Sequence, residues 1–522
     1  MVYLKYRLKK ITILKHKIIV WLGSDFTQYL ISHFLQNSID CELYAIIDTT
    51  SKIKPYFENQ TLVNFKKIWF FHDRISAQNQ TPDIKYLENF ERIFEINIWK
   101  LAINERIFYR FNDYHKFSRN EILSIEEQSC KLFEEILNEV KPDFFITKET
   151  GFHHLELFYQ MCLKNKIQVL MINQPNLGKS AMVTNKCRIP DFIKNYESTK
   201  SKNRDFNELR TFLEKLQTSG SVQNYLARHG GTKYDSFSAA SKFLKSDNST
   251  EKTNYPYYGR TKLDVVKNEF LSSQNRRKRK SFVDKTLQKN VDLKTHFVYF
   301  PLSVDMERNL LIGAPMYTNQ IEILRHIVKS LPINYQLFVK ENPLQSNRDW
   351  RSLEEYDEII SIPNLTLIHP SFSSRKLIEN SDLVISIGGS SGLEASFYEK
   401  PSITFSEIGY DVLPSVFRVQ NIDELPNTIK TALNTKVYSQ DLDRYISLLE
   451  NEMFSFDSFE FTSDLKDELF LGGNLHDNTI SEKQIQKILT KHESLLKKLT
   501  DEHIKKINYF STNSQIICKI TL

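Results

Sequence analysis

Short continuous runs of branched and aromatic apolar residues alternate with segments of helical period, and the pattern occurs twice. Ile18-Ile19-Val20-Trp21-Leu22 runs into Gly23-Ser24-Asp25, then Tyr29, Leu30, Phe34 and Leu35 follow at helical spacing. That order predicts a buried strand, a tight turn and a helix. Further runs lie at 43–47, ending in Asp48, and at 68–71, 144–147 and 169–172. Helical periods separate the later ones, through Ile122, Ile125, Leu132 and Ile136, and through Leu155, Phe158 and Met161. A second series begins at Phe297-Val298-Tyr299-Phe300 and continues at 335–340, 365–368, 383–387 and 402–405, with helical segments at 321–331 and 373–381. Strands that are apolar on both faces and joined by helices belong in parallel sheets covered on both sides. The expected class is α/β, with two Rossmann-like domains.

The division that follows is 1–195 for the first domain, 196–290 for a polar, basic linker or insertion, 291–440 for the second domain and 441–522 for a helical C-terminal extension. Lys, Ser, Asn and Arg dominate the linker region, which contains the basic run Arg276-Arg277-Lys278-Arg279-Lys280. The chain has 522 residues, 40% hydrophobic and 26% charged, which excludes a wholly disordered protein. A net charge of +6 over this length is no nucleic-acid signature. Five cysteines, Cys41, Cys130, Cys162, Cys187 and Cys518, include no Cys-x-x-Cys pair. Neither a disulfide framework nor a zinc site is expected, and reduced thiols fit a cytoplasmic protein. No apolar stretch approaches the roughly 18 residues of a membrane span. The basic N-terminus and the run at 276–280 leave an anionic membrane surface, at the inner face of the cell membrane, open as a resting place.

Candidate chemistry gathers where predicted strands end. In the segment 385–395 a strand runs into Gly388-Gly389-Ser390-Ser391-Gly392, and a helix opens with Glu394 in its first turn. Small residues let a ligand approach the backbone. Free N–H groups at a helix start suit a phosphate, and Ser390 and Ser391 add hydroxyl donors. Glu394 is placed to accept from ribose hydroxyls. Lys340, Asn342 and Arg348 follow the end of another strand, where open α/β sheets put ligands, and the two cations suit a nucleotide phosphate. In the first half, Glu149 follows a strand and precedes Gly151, His153 and His154. A carboxylate there suits a general base acting on a hydroxyl.

Four ordered segments now resemble one family. The glycine-rich turn with Leu393, Glu394 and Ala395, followed by Lys400-Pro401 and another strand, looks like the donor half of GT-B glycosyltransferases. More narrowly, residues 297–427 resemble the capsule polysaccharide biosynthesis proteins, which include Kdo transferases. Tyr299-Phe300-Pro301-Leu302-Ser303 with Glu307 resembles their opening strand and Pro-Glu loop. Phe338-Val339-Lys340-Glu341-Asn342-Pro343, with Arg348 beyond, resembles their Lys-Glu-His-Pro segment. The stretch from Pro363 to Pro370 resembles the strand before the donor-side helix. This chain has Asn342 where the family usually has His, so an acid acting on the leaving phosphate is lost or moved.

The resemblance implies two Rossmann-like domains facing across a cleft in a GT-B-like arrangement. It implies a glycosyltransferase that moves a sugar from a nucleotide sugar, CMP-Kdo or a related acidic sugar, to a surface polysaccharide or lipid-linked glycan. Donor binding then falls to Ser303, Glu307, Lys340, Arg348, Gly388, Gly389, Ser390, Ser391, Gly392 and Glu394, and catalysis to Glu149 and Asn342. Neither cofactor nor metal is expected, and no nucleic acid partner. Two alternatives stay open at this point: a nucleotide-sugar epimerase of the same fold, and a non-catalytic protein of glycan assembly.

Overall fold

The computed structural model describes the chain apart from residues 1–14, 77–80, 217–219, 221–223, 226, 229–232, 248–249, 251–253, 349 and 521–522, and apart from the side chains of 233–237, 347–348 and 513–520. Two sheets organise it. The first contains β1 (His16–Leu22), β2 (Cys41–Ile47), β3 (Phe65–Phe70), β4 (Phe144–Lys148), β5 (Gln168–Asn173), β6 (Ser180–Thr184) and β13 (Phe454–Ser455), in the order β13-β6-β5-β4-β1-β2-β3. The second contains β7 (Phe297–Pro301), β8 (Gln336–Lys340), β9 (Leu365–Ile368), β10 (Leu383–Ser386), β11 (Ser402–Thr404) and β12 (Val416–Arg418), in the order β12-β11-β10-β7-β8-β9. Every pair in the second sheet is parallel, as are the pairs joining β1 to β5 in the first. The expected α/β class with two Rossmann-like units is what the chain adopts.

Strand direction follows from connection length. β1 to β5 are joined through helices, including Thr27–Ser38, Arg119–Val140 and His153–Lys164, long enough to carry the chain back for a parallel partner. β6 follows β5 after a six-residue loop and pairs antiparallel, as does β13 with β6. In both sheets the order reverses beside the first strand, between β1 and β4 and between β7 and β10. Those two crevices, at the carboxyl ends of the strands, are where this architecture receives ligands.

Apolar residues cover both faces of both sheets. The segment after 195 is shared between them. Tyr196, Leu209 and Leu213 are buried with the second sheet, whereas Tyr255 is buried under the first. The helix Lys262–Thr286 then leads from the first unit to the second, burying Val283 there. The helix Ser439–Glu450 stays with the second sheet, and from β13 onward the chain returns to the first. Phe461, Leu465, Ile485, Leu496 and Ile507 join its core. The last helix, Glu493–Ile520, packs against Thr27–Ser38. Among the described residues Cys41, Cys130, Cys162 and Cys187 are free thiols, and no helix is long and apolar enough to cross a membrane.

Candidate active site between the two sheets

At the reversal of the second sheet, the glycine-rich turn divides its labour. A side chain on Gly388 would collide with the Ser406 hydroxyl. One on Gly392 would lie 2.7 Å from the Tyr410 hydroxyl. That hydroxyl donates to the Gly389 carbonyl at 2.6 Å. Gly388 and Gly392 therefore make room for the protein's own side chains, Ser406 and Tyr410, on the side where a Cβ would stand. Gly389 alone borders free space. Ser391 opens the short helix Ser391–Phe397, and Ser390 Oγ donates to Glu394 Oε1 at 2.6 Å.

Lys340 ends β8 almost fully buried, and its Nζ donates to Ser374 Oγ at 2.7 Å. Burial pulls its pKa down to about 8, against the opposing attraction of Glu394 and Glu341. Glu394 is displaced the other way: burial raises it, while Ser390 and Lys340 oppose the rise. A buried ammonium and a partly buried carboxylate thus act on one another's charge, each held by a serine hydroxyl. An arriving phosphate would stabilise the protonated lysine.

The loop after β8 does not offer Asn342 for chemistry. Its Oδ1 accepts from the Leu344 N–H at 3.0 Å and its Nδ2 donates to the Leu302 carbonyl at 3.4 Å. Both polar atoms help to hold the turn together, and the amide carries no proton that it could give up as an acid at neutral pH. Glu341, its neighbour, is fully buried and accepts from Arg351 Nε at 2.8 Å and from the Tyr356 hydroxyl at 2.9 Å. Arg351 also pairs with Asp305 and donates to the Ser303 carbonyl at 2.8 Å. The Ser303 N–H donates to Gln320 Oε1 at 2.8 Å. Ser303 is therefore held through its backbone. Arg348 belongs to the turn Pro343–Arg348, with a side chain outside the described set, and Arg351 is the buried cation of this loop.

On the first domain, Glu149 follows β4 and is gripped by Arg188, whose Nη2 lies 3.3 Å from Oε2 and whose Nε lies 3.4 Å from Oε1. The Gln174 N–H adds a third donor at 3.3 Å. Burial alone would raise the Glu149 pKa, but Arg188 and Arg308 outweigh it and hold the carboxyl below its ordinary range. Arg308 comes from the second domain, one residue after Glu307, and its Nε donates to Thr150 Oγ1 at 3.3 Å. Glu307 also contributes to the field that keeps Arg188 charged. The Gly409 N–H, in the second domain, donates to the Arg188 carbonyl at 3.1 Å. Arg188 therefore stands where the two domains meet, next to the residue whose neighbour, Tyr410, binds the glycine turn.

The adjacent histidines are both buried and engaged. His153 pairs with Glu126 at 2.7 Å, and His154 Nε2 lies 2.9 Å from Asp48. At the reversal of the first sheet, Lys148 closes on Asp25 beside Gly23. Arg188, Arg308, Glu341 and Arg351 escaped the sequence reading. Glu341 alone had a signal, its place between a strand end and Pro343; Arg188 and Arg351 lie in loops, and Arg308 opens a four-residue helix too short to carry a pattern.

Residues 233–444 match the family model described as capsule polysaccharide biosynthesis protein. No curated protein matches the chain. Among solved structures, a UDP-GlcNAc 2-epimerase of Methanocaldococcus jannaschii shares 14% identity, over 83% of this chain and 99% of that one, at a TM-score of 0.24. KpsC, a β-Kdo 2,7 transferase of Thermosulfurimonas dismutans, shares 13% identity, over 67% and 87%, at a TM-score of 0.27. At these values the solved structures add nothing to the fold already read from the strand order. Through residues 233–444, which hold the helix Lys262–Thr286 and every strand of the second sheet, the chain is similar to the capsule polysaccharide biosynthesis proteins.

Proposed function

We propose that the chain is a glycosyltransferase whose second domain binds a nucleotide sugar and whose first domain holds a surface polysaccharide or lipid-linked glycan acceptor. The observation that carries this reading is the open Gly389 turn at the reversal point of a sheet within the matched region, with the buried Lys340 at the end of a neighbouring strand of that sheet. A phosphate leaving group needs positive charge and N–H donors held in place before reaction, in a site poor in water. Lys340 and the backbone of the turn supply both. The acceptor hydroxyl needs a base, and Glu149 is the ionised carboxylate at the domain junction. In this reading a bound nucleotide competes for Arg188 and frees the Glu149 carboxylate as the donor arrives.

The test is release of nucleotide from CMP-Kdo and from UDP-sugars, with and without glycan acceptor. Release that requires acceptor, and is lost in Lys340→Met, supports the transferase. Interconversion of the nucleotide sugar without acceptor would mean an epimerase. Nucleotide binding without any turnover would mean a non-catalytic member of a glycan assembly.

A further inference from the structure

The helix Lys262–Thr286 presents an outward face that nothing in the catalytic reading uses. It has 25 residues, so at about 1.5 Å per residue it spans roughly 37 Å. Its inward side is anchored at both ends. Asn268 Nδ2 donates to the Tyr114 hydroxyl of the first domain at 3.0 Å, while Phe282 stacks on Tyr356 and Val283 is buried in the second. At about 3.6 residues per turn, Leu263, Val266 and Phe270 fall on the opposite side and continue into Arg277 and Lys278. Leu263 is 83% exposed, Val266 49%, Phe270 64% and the adjacent Leu271 44%. Arg277 is exposed on the same face, Lys267 and Lys278 along one flank of it and Glu269 along the other. Leu244 is 54% exposed near the same end, where the Lys262 ammonium holds its carbonyl at 2.8 Å.

Single exposed apolar side chains are ordinary. Four of them within nine residues of one helix, followed two turns on by exposed cations, join apolar contact to positive charge. Apolar side chains enter the acyl boundary while Lys and Arg reach anionic headgroups. We propose that this face docks the protein on an anionic lipid bilayer. A polyanionic glycan or nucleic acid would meet the cations but leave Leu263 and Phe270 without a partner. The inference stands independently of the transferase reading, since it concerns attachment and not turnover.

The test uses the full chain and two exposed-site variants, Leu263→Ser/Phe270→Ser and Arg277→Ser/Lys278→Ser. Sedimentation is measured with vesicles of phosphatidylcholine alone and of phosphatidylcholine with phosphatidylglycerol. The expected result is binding to the anionic vesicles only, weakened by salt, and weakened roughly tenfold or more in each variant. Melting temperature and nucleotide affinity should match wild type in both variants, showing that the fold is intact. Absence of vesicle binding at low salt overturns the proposal. So does binding that both variants retain, which would place attachment elsewhere. A dimer in solution that Leu263→Ser/Phe270→Ser dissolves would assign the face to a second copy of the chain and also overturn it.

Discussion

Arg188 donates to both carboxylate oxygens of Glu149, at 3.4 and 3.3 Å, and its own carbonyl accepts from the Gly409 N–H across the domain junction. The candidate base is thus tied through Arg188 to Gly409, whose neighbour Tyr410 donates to the Gly389 carbonyl. Folding holds its pKa below the ordinary carboxylate value. A carboxyl with a depressed folded pKa contributes stability above its unfolded pKa, and that contribution is lost as pH falls through the folded value. The acid limb of kcat/KM should accordingly lie below the ordinary carboxylate range in wild type. Arg188→Met should move it upward, because only Arg308 and the Gln174 N–H then oppose the desolvation of Glu149. Glu149→Gln should abolish the limb and cut kcat at least a hundredfold, as loss of a general base does. An acid limb unmoved by Arg188→Met would detach Glu149 from the reaction.

Lys340 makes the opposite pH prediction. Its folded pKa of about 8 lies below the ordinary lysine value, so the unfolded chain binds its proton more readily between those two points. Its contribution to stability therefore rises with pH above about 8 and is least below it. Phosphate binding needs the protonated form. Nucleotide affinity, measured by titration calorimetry, should fall as pH climbs through 8, and Lys340→Met should remove that dependence. The lost charge-assisted contact should weaken binding about tenfold or more, from roughly 1.5–3 kcal/mol. Affinity that is flat from neutral pH to pH 9 would place the phosphate away from Lys340.

The glycine turn separates ligand contact from packing. Gly389→Ala adds a methyl into free space and should leave the melting temperature close to wild type while reducing nucleotide affinity. Gly392→Ala drives a methyl against the Tyr410 ring and hydroxyl and should destabilise the second domain, by roughly 1–3 kcal/mol for such overpacking. Thermal unfolding of the two variants checks this directly. Equal stability would mean that Tyr410 swings aside without cost.

Most of the strands were legible because each is a buried apolar run ending in a turn, from Ile18 in β1 to Ile403 in β11. β6, β12 and β13 were not: Ser180–Thr184 and Val416–Arg418 mix polar with apolar residues, and Phe454–Ser455 is too short for any period. The return of the C-terminal helices to the first sheet has no local signature either. Phe461 and Ile507 show only that a helix has an apolar face, and the face does not name its partner. The site divides similarly. Lys340 and Gly389 stand at strand ends, which sequence periodicity locates. The grip of Arg188 on Glu149, and of Arg351 on Glu341, depends on loops brought together from far along the chain. Tyr410 reaches the turn at Gly389 from 21 residues away, and its ring gives Gly392 a packing role that the sequence does not show.

Glu341 and Arg351 lead to the last prediction. Glu341 is fully buried and receives Arg351, Tyr356 and the Asn342 N–H, and Arg351 continues to Asp305 and the Ser303 carbonyl. These contacts hold the loop after β7 against the loop after β8, the two walls beside Lys340. Removing one partner strands a desolvated charge, which costs about 3–5 kcal/mol. Arg351→Met should therefore lower stability by that amount in urea unfolding, more than any substitution proposed at the turn. Its effect on function should pass through position: nucleotide affinity should fall in the folded variant, while the pH at which affinity declines stays where Lys340 sets it. Glu341→Gln keeps the shape and two of its acceptor contacts and should cost less than Arg351→Met. If Arg351→Met unfolds at the wild-type urea concentration, the network does not support the loops and their geometry must come from the surrounding core.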